Sequence, residues 1–101
     1  MNRKGSEAWK EHNRPQCVED IREALDNPFI RDIREIQSIC YEPPMCDVGV
    51  GLDKYINRHP EYRDVEDTVL AGWIKEYKYL CRIYYLDFIV ECLEEVQNGD
   101  L

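Results

Sequence analysis

Residues Asp64 to Val96 have the spacing of one long helix, yet the apolar side of that helix changes partway along. With about 100° of rotation per residue, the first half carries its apolar side chains on one face and its basic side chains on the other. The first half comprises apolar Val69, Leu70, Trp73, Tyr77, Leu80, Cys81 and Tyr84, and basic Lys75, Lys78 and Arg82. After Tyr85 the faces exchange. The second half comprises apolar Leu86, Ile89, Leu93 and Val96, and acidic Asp87, Glu91, Glu94 and Glu95.

A straight helix with two opposite apolar faces cannot bury both of them against one surface. Two arrangements resolve the conflict. Either the helix breaks near Tyr84 and Tyr85 and folds its second half back onto the core, or the second half packs on another protein molecule. The second arrangement predicts an apolar stripe that an isolated chain leaves exposed, and such stripes usually mark interaction sites.

The segments before Asp64 also favour helices. Ser6 can cap a short first turn that ends at Pro15, and Pro15 suits the first turn of a helix reaching about Asp26. Asn27 and Pro28 then offer a cap and a first residue for another helix, which carries isoleucines at helical spacing as far as Cys40.

A loop is predicted over residues 42–51, followed by a short helix capped by Asp53 and stopped at Pro60. Ile83 to Val90 is rich in residues that favour strands, but no second strand is available to pair with it. The sequence therefore predicts an all-α fold, a small bundle of about four helices with a long C-terminal helix.

At 101 residues, 1–101 is expected to form a single helical domain, with residues 1–14 as a basic and mobile arm. The apolar fraction of 44% and aromatic fraction of 11% are typical of a folded chain. The net charge of −8 disfavours direct binding of nucleic acid, which needs Lys and Arg to neutralise phosphates. No apolar run approaches the roughly 18 residues of a membrane span, so no membrane association is expected.

Five scattered cysteines and the absence of an apolar N-terminal segment favour a cytoplasmic protein with free thiols. Cys40 and Cys46 are separated by five residues and the histidines are isolated, unlike the close ligand pairs of zinc sites. No nucleophile lies in a recognisable catalytic motif. We therefore expect no metal, no cofactor and no enzymatic activity.

Two aromatic side chains, Tyr79 and Tyr85, fall outside the inner face of the long segment and are predicted contact residues. The acids near the end of that segment lie at the unfavourable end of the helix dipole, which a basic partner or a basic N-terminal arm folded back onto them would relieve. The predicted partner-binding set is Tyr79, Tyr85, Leu86, Asp87, Ile89, Glu91, Leu93, Glu94 and Glu95.

These features predict a non-enzymatic, acidic helical protein that binds another protein with a basic surface, as an inhibitor or adaptor, or that forms a homodimer. In size and charge the chain resembles small acidic helical inhibitors made by phages, including proteins that imitate DNA. That resemblance implies the alternative function, an anti-defence inhibitor whose acidic face blocks a nucleic-acid-binding host protein. A small cysteine-dependent enzyme or zinc module is a more remote alternative.

Overall fold

The computed structural model describes residues 4–99, and over this range the chain is all-helical. The elements are helices α1 (Glu7–Glu23), α2 (Pro28–Arg31), α3 (Ile33–Tyr41) and α4 (Val48–Arg58), a 3-10 turn at Pro60–Asp64, and helices α5 (Asp67–Ile83) and α6 (Leu86–Asn98). The predicted all-α class is confirmed. The predicted count of about four helices is too low, because the structure divides two of the predicted segments.

The long C-terminal segment is divided between α5 and α6. At Tyr84 the backbone leaves the helical region, with φ −116° and ψ −111°, and Tyr85 is extended. The Tyr84 side chain remains buried, and its hydroxyl donates a hydrogen bond of 2.6 Å to the Asp20 carboxylate of α1. The break near Tyr84 is therefore the arrangement that the chain adopts, and it turns α6 back toward the core.

Helix α6 packs against both α1 and α3. Phe88, Ile89 and Cys92 are fully buried, while Leu86 is 8% and Leu93 is 2% exposed. The expectation of an exposed apolar stripe on this helix is wrong, because the turn at Tyr84 places those side chains in the protein's own core.

The predicted helix end at Pro15 is also wrong, since α1 runs through this residue. Proline removes one backbone donor inside a helix, but packing on both sides of Pro15 holds this helix together. Before it, the Trp9 ring lies 5.0 Å from the Phe88 ring, and after it Cys17 is fully buried. The predicted basic arm lies partly outside the described residues, and from Glu7 onward it belongs to α1.

Asn27 and Pro28 begin α2 as predicted. The Asn27 side chain accepts from the Phe29 amide at 2.9 Å, and its buried amide donates to the Trp73 carbonyl and to Glu76, both at 2.9 Å. The predicted single helix is interrupted at Asp32, whose carboxylate accepts a hydrogen bond from the Tyr55 hydroxyl.

Helix α4 begins earlier than predicted and includes both Gly49 and Gly51. Asp47, not Asp53, is its cap, with a side-chain oxygen that accepts from the Val50 amide at 2.8 Å. Gly51 faces α3, where a side chain would overlap the Cys40 sulfur, so this position needs glycine for close packing.

Within residues 4–99, the structure contains no helix that combines the length and apolar character needed to cross a membrane.

Candidate protein-binding surface on helix α5

Helix α5 is the least covered of the long helices. Of its 17 residues, only Tyr77 and Leu80 are buried. Trp73, predicted on the inner face, is partly buried and packs edge-on against the Phe29 ring at 6.1 Å. Val69, predicted on the same face, is 43% exposed. The outer side of α5 therefore remains open to other molecules.

Tyr79 lies at the centre of that outer side. Its side chain is 51% exposed, and the Arg82 guanidinium carbon lies 5.7 Å from the centre of its ring. A rotation of about 100° per residue places Tyr79 between the basic residues of α5 on one side and Glu76 on the other. Tyr79 lines a groove on each side. We call Tyr79 and the two grooves the Tyr79 surface.

The first groove is basic. It encloses about 590 Å³ along α5 and is lined by Ala71, Ile74, Lys75, Lys78, Tyr79 and Arg82. Nothing in residues 4–99 forms an ion pair with its three basic side chains. Lys4 adds a further positive charge nearby, since its ammonium donates to the Arg82 carbonyl at 3.0 Å. No carboxylate among the described residues therefore neutralises this groove, although the net charge of the protein is −8.

The second groove is acidic and lies between α1 and α5. It encloses about 400 Å³ and is lined by Gln16, Asp20, Glu23, Glu76, Tyr79, Leu80, Ile83 and Tyr84. Leu80, Ile83 and the two tyrosine rings supply apolar surface, and three carboxylates supply negative charge. A groove with this lining suits the alkyl stem and cationic head of a Lys or Arg side chain.

Within residues 4–99, none of the three carboxylates of the acidic groove has a cationic partner: Asp20 and Glu76 accept from neutral donors, and the Glu23 carboxylate has no partner. Asp20 accepts from the Tyr84 hydroxyl and from the Gln16 amide, at 2.6 and 2.9 Å. Burial raises the pKa of Tyr84, followed in effect by its hydrogen bond to Asp20, so this phenol stays a neutral donor. Glu76 accepts from the Asn27 amide at 2.9 Å. The negative charge of the groove is therefore not cancelled by a neighbouring cation among these residues.

The acids of α6 have a different environment. Lys10 pairs with Glu91 at 3.3 Å, and Arg14 pairs with Glu91 at 3.6 Å and with Glu95 at 3.4 Å. The hydrogen bond to Glu91 raises the pKa of Lys10. Basic residues of the N-terminal part thus lie against these acids, which was one of the two ways predicted to relieve their charge.

The remaining acids predicted to bind a partner also have partners within the chain. Glu94 forms an ion pair with Arg34 of α3. Asp87 accepts from the Gln37 amide at 2.8 Å and from the Tyr41 hydroxyl, and the hydrogen bond to Asp87 raises the pKa of Tyr41 to about 12. The predicted acidic face of α6 is thus divided among contacts to α1 and α3.

Tyr85 is partly buried against the protein's own aromatic side chains. Its ring lies 5.6 Å from that of Trp9 and 5.9 Å from that of Phe88. Of the nine predicted contact residues, the structure leaves Tyr79 as the exposed aromatic side chain beside unpaired charges, while Leu86, Ile89 and Leu93 lie in the core.

The cysteines fall into buried and half-buried positions. Cys17, Cys40 and Cys92 are buried, whereas Cys46 and Cys81 are partly accessible. Burial raises the pKa of Cys81 to about 11, which keeps its thiol protonated at neutral pH. In the part of the chain that the structure describes, no group of three or more His, Cys, Asp and Glu side chains is arranged to hold a metal ion.

The acidic groove was not predicted from the sequence. Its carboxylates come from residues 20, 23 and 76, which line one groove only because the fold brings α1 and α5 to opposite sides of it. The sequence did place Tyr79 outside the inner face of α5. That position identified Tyr79 as a contact residue but did not indicate the groove beside it.

No family model matches this chain, and neither a curated protein nor a solved structure does.

Proposed function

We propose that this protein is non-enzymatic and acts by binding another protein through the Tyr79 surface, with basic side chains of that partner seated in the acidic groove. The observation that carries the proposal is the half-exposed Tyr79 beside carboxylates that have no cationic partner within residues 4–99. Tyrosine is enriched among the side chains that dominate binding energy at protein interfaces.

Charge complementarity identifies the chemistry of the partner. A Lys or Arg side chain entering the acidic groove would place its alkyl stem over Leu80 and Ile83 and its cationic head near Glu23 and Glu76. Glu23 has no hydrogen bond or ion pair among residues 4–99, so its carboxylate can meet such a cation without losing an internal contact. Opposite charges across an interface accelerate association and suppress wrong partners.

The inhibitor or adaptor role predicted from the sequence is retained in this proposal, but the binding face moves from α6 to α5. The α6 acids each contact α1 or α3 residues, whereas the acids of the groove have no cationic partner among residues 4–99. A basic partner therefore gains more from the groove than from α6, where it would first have to replace existing ion pairs.

The test compares retention of proteins from the native host on the immobilised wild-type chain and on a Tyr79→Ala variant. A partner of this surface is retained by the wild type and lost from the variant. Tyr41→Ala is the matched control, because Tyr41 is 50% exposed and Tyr79 is 51% exposed, but Tyr41 lines neither groove.

Glu23→Lys provides the second arm of the test. This variant should no longer retain the same partner, because the introduced lysine repels the partner's basic side chains. Circular dichroism should show an unchanged helical content. Two outcomes contradict the proposed binding surface. One is that Tyr41→Ala and Tyr79→Ala reduce retention of the partner equally, and the other is that Glu23→Lys leaves retention unchanged.

A further inference from the structure

The two grooves of the Tyr79 surface complement each other. One presents three cationic side chains, from Lys75, Lys78 and Arg82, and the other presents three carboxylates, from Asp20, Glu23 and Glu76. Both lie along the same helix and share Tyr79. The chain therefore carries a row of basic side chains of the kind that its own acidic groove suits.

Twofold symmetry allows both grooves to be satisfied at once. Two copies facing each other about a twofold axis parallel to α5 place the basic groove of each copy opposite the acidic groove of the other. The same contact then occurs twice, as in any isologous dimer. A twofold axis that lies in the interface but crosses α5 at right angles would instead place like charges together, so the charge pattern selects the parallel arrangement.

The centre of the Tyr79 surface allows the α5 helices of two copies to approach each other closely. Tyr79 lies on the midline, and Gly72 lies two turns earlier near the same line, with about 100° of rotation per residue. A side chain at Gly72 would meet nothing within 4 Å in this chain. The shared midline thus combines an aromatic side chain with a position at which the helix backbone is open to contact.

We infer that the occupant of the Tyr79 surface is a second copy of this chain, which forms a parallel twofold dimer by pairing each acidic groove with the basic groove of the other copy. This inference rests on the proposed function, because it names the partner of the same surface. It also accounts for the available positive charge on α5, which a basic partner of another kind would leave unused.

Sedimentation velocity of two charge-reversed variants, alone and mixed, tests the inference. The base-reversed variant carries Lys75→Glu and Lys78→Glu, and the acid-reversed variant carries Glu23→Lys and Glu76→Lys. The wild type should sediment as a dimer. Each variant alone should be a monomer, with its dissociation constant raised by at least about 100-fold, because like charges then face each other twice.

An equimolar mixture of the two variants should restore the dimer, since every reversed side chain meets a reversed partner. Arg31→Glu with Arg63→Glu is the net-charge control for the base-reversed variant, because it makes the same charge change outside both grooves and should leave the dimer intact. Glu76→Lys removes the acceptor of the hydrogen bond that the Asn27 amide donates. If circular dichroism shows that the acid-reversed variant is unfolded for this reason, Glu23→Lys alone takes its place.

A wild-type chain that remains monomeric at its highest soluble concentration overturns the inference, as does a mixture that does not reassociate. A monomeric wild type whose capture of another host protein depends on Tyr79 would leave the proposed function standing. Loss of both self-association and Tyr79-dependent capture would remove both.

Discussion

At the residue scale, Gly51 of α4 and Gly72 of α5 have contrasting surroundings. A side chain at Gly51 would overlap the Cys40 sulfur and approach Ile36 of α3, whereas a side chain at Gly72 meets nothing within 4 Å. The same chemical change therefore has opposite consequences at the two positions.

Gly72→Ala should raise the free energy of unfolding by about 0.5 to 1 kcal/mol, because alanine loses less conformational freedom in a helix. Gly51→Ala should lower it by about 1 to 3 kcal/mol through overpacking. Urea denaturation at a concentration that keeps the chain monomeric measures both. Combining Gly51→Ala with Cys40→Ala should recover part of the loss, and equal effects at the two glycines would contradict this account of the packing.

A residue with one role that is predictable from its neighbours in sequence can acquire a second role from residues far along the chain. Asn27 was predicted to cap a helix, and it does, but its buried amide also joins α2 to α5 through Trp73 and Glu76. A cap can be predicted from adjacent residues, whereas the second set of hydrogen bonds depends on which helix packs nearby.

At the scale of elements, substitutions in α6 test whether this helix belongs to the core of the single chain. Ile89 is fully buried, and truncating such a side chain to alanine costs about 2 to 5 kcal/mol. Ile89→Lys also buries a charge without a partner, so it should remove the helical circular dichroism of a domain stabilised by about 5 to 15 kcal/mol.

Val69→Lys is the comparison for that variant, since Val69 is 43% exposed on α5 and should accept lysine with little change in thermal midpoint. A folded Ile89→Lys variant that had lost only self-association would instead place α6 at an interface and contradict its buried position in the structure.

The helical segments were predicted better than the residues at which they begin and end. Apolar spacing identified the helical segments, because a face that packs on a core repeats every three or four residues. The boundaries failed where packing prevailed over local preference: Pro15 did not end α1, since Trp9 and Cys17 pack on either side of it. At Tyr84, the inverted apolar face left two arrangements open, a break or a partner for the second half, and the structure adopts the break.

At the scale of the whole molecule, His59 connects stability to pH. Its Nε2 lies 2.8 Å from a Glu35 oxygen, and this hydrogen bond raises the pKa of His59 above its ordinary value of 6.5. A raised pKa in the folded state means that the interaction stabilises the fold fully below about pH 6.5. The contribution is then lost as the pH rises through the folded-state pKa.

His59→Gln should therefore lower the free energy of unfolding more at about pH 5 than at about pH 8, as measured by urea denaturation across that range. Glu35→Gln is expected to remove the same pH-dependent component. A constant difference between wild type and His59→Gln at all pH values would show that the Glu35 contact does not favour the protonated ring.

The candidate surface was predictable only in part. Tyr79 was identified from its angle on α5, a local property. The acidic groove required the fold to place residues of α1 opposite α5, and the internal pairing of the α6 acids required the packing of α1 and α3 on α6. Charge composition gives the number of acids, but tertiary structure decides which of them retain a free carboxylate.

The position of α6 between α1 and α3 has a consequence for synthesis. A ribosome makes α6 after the other helices described in residues 4–99, so the apolar faces of α1 and α3 emerge before their cover exists. At about 5 to 20 residues per second, the nascent chain carries those faces uncovered for several seconds. Its vulnerability to aggregation in a cell thus depends on the order of its helices, and chaperones have their main opportunity to bind before α6 is complete at Asn98.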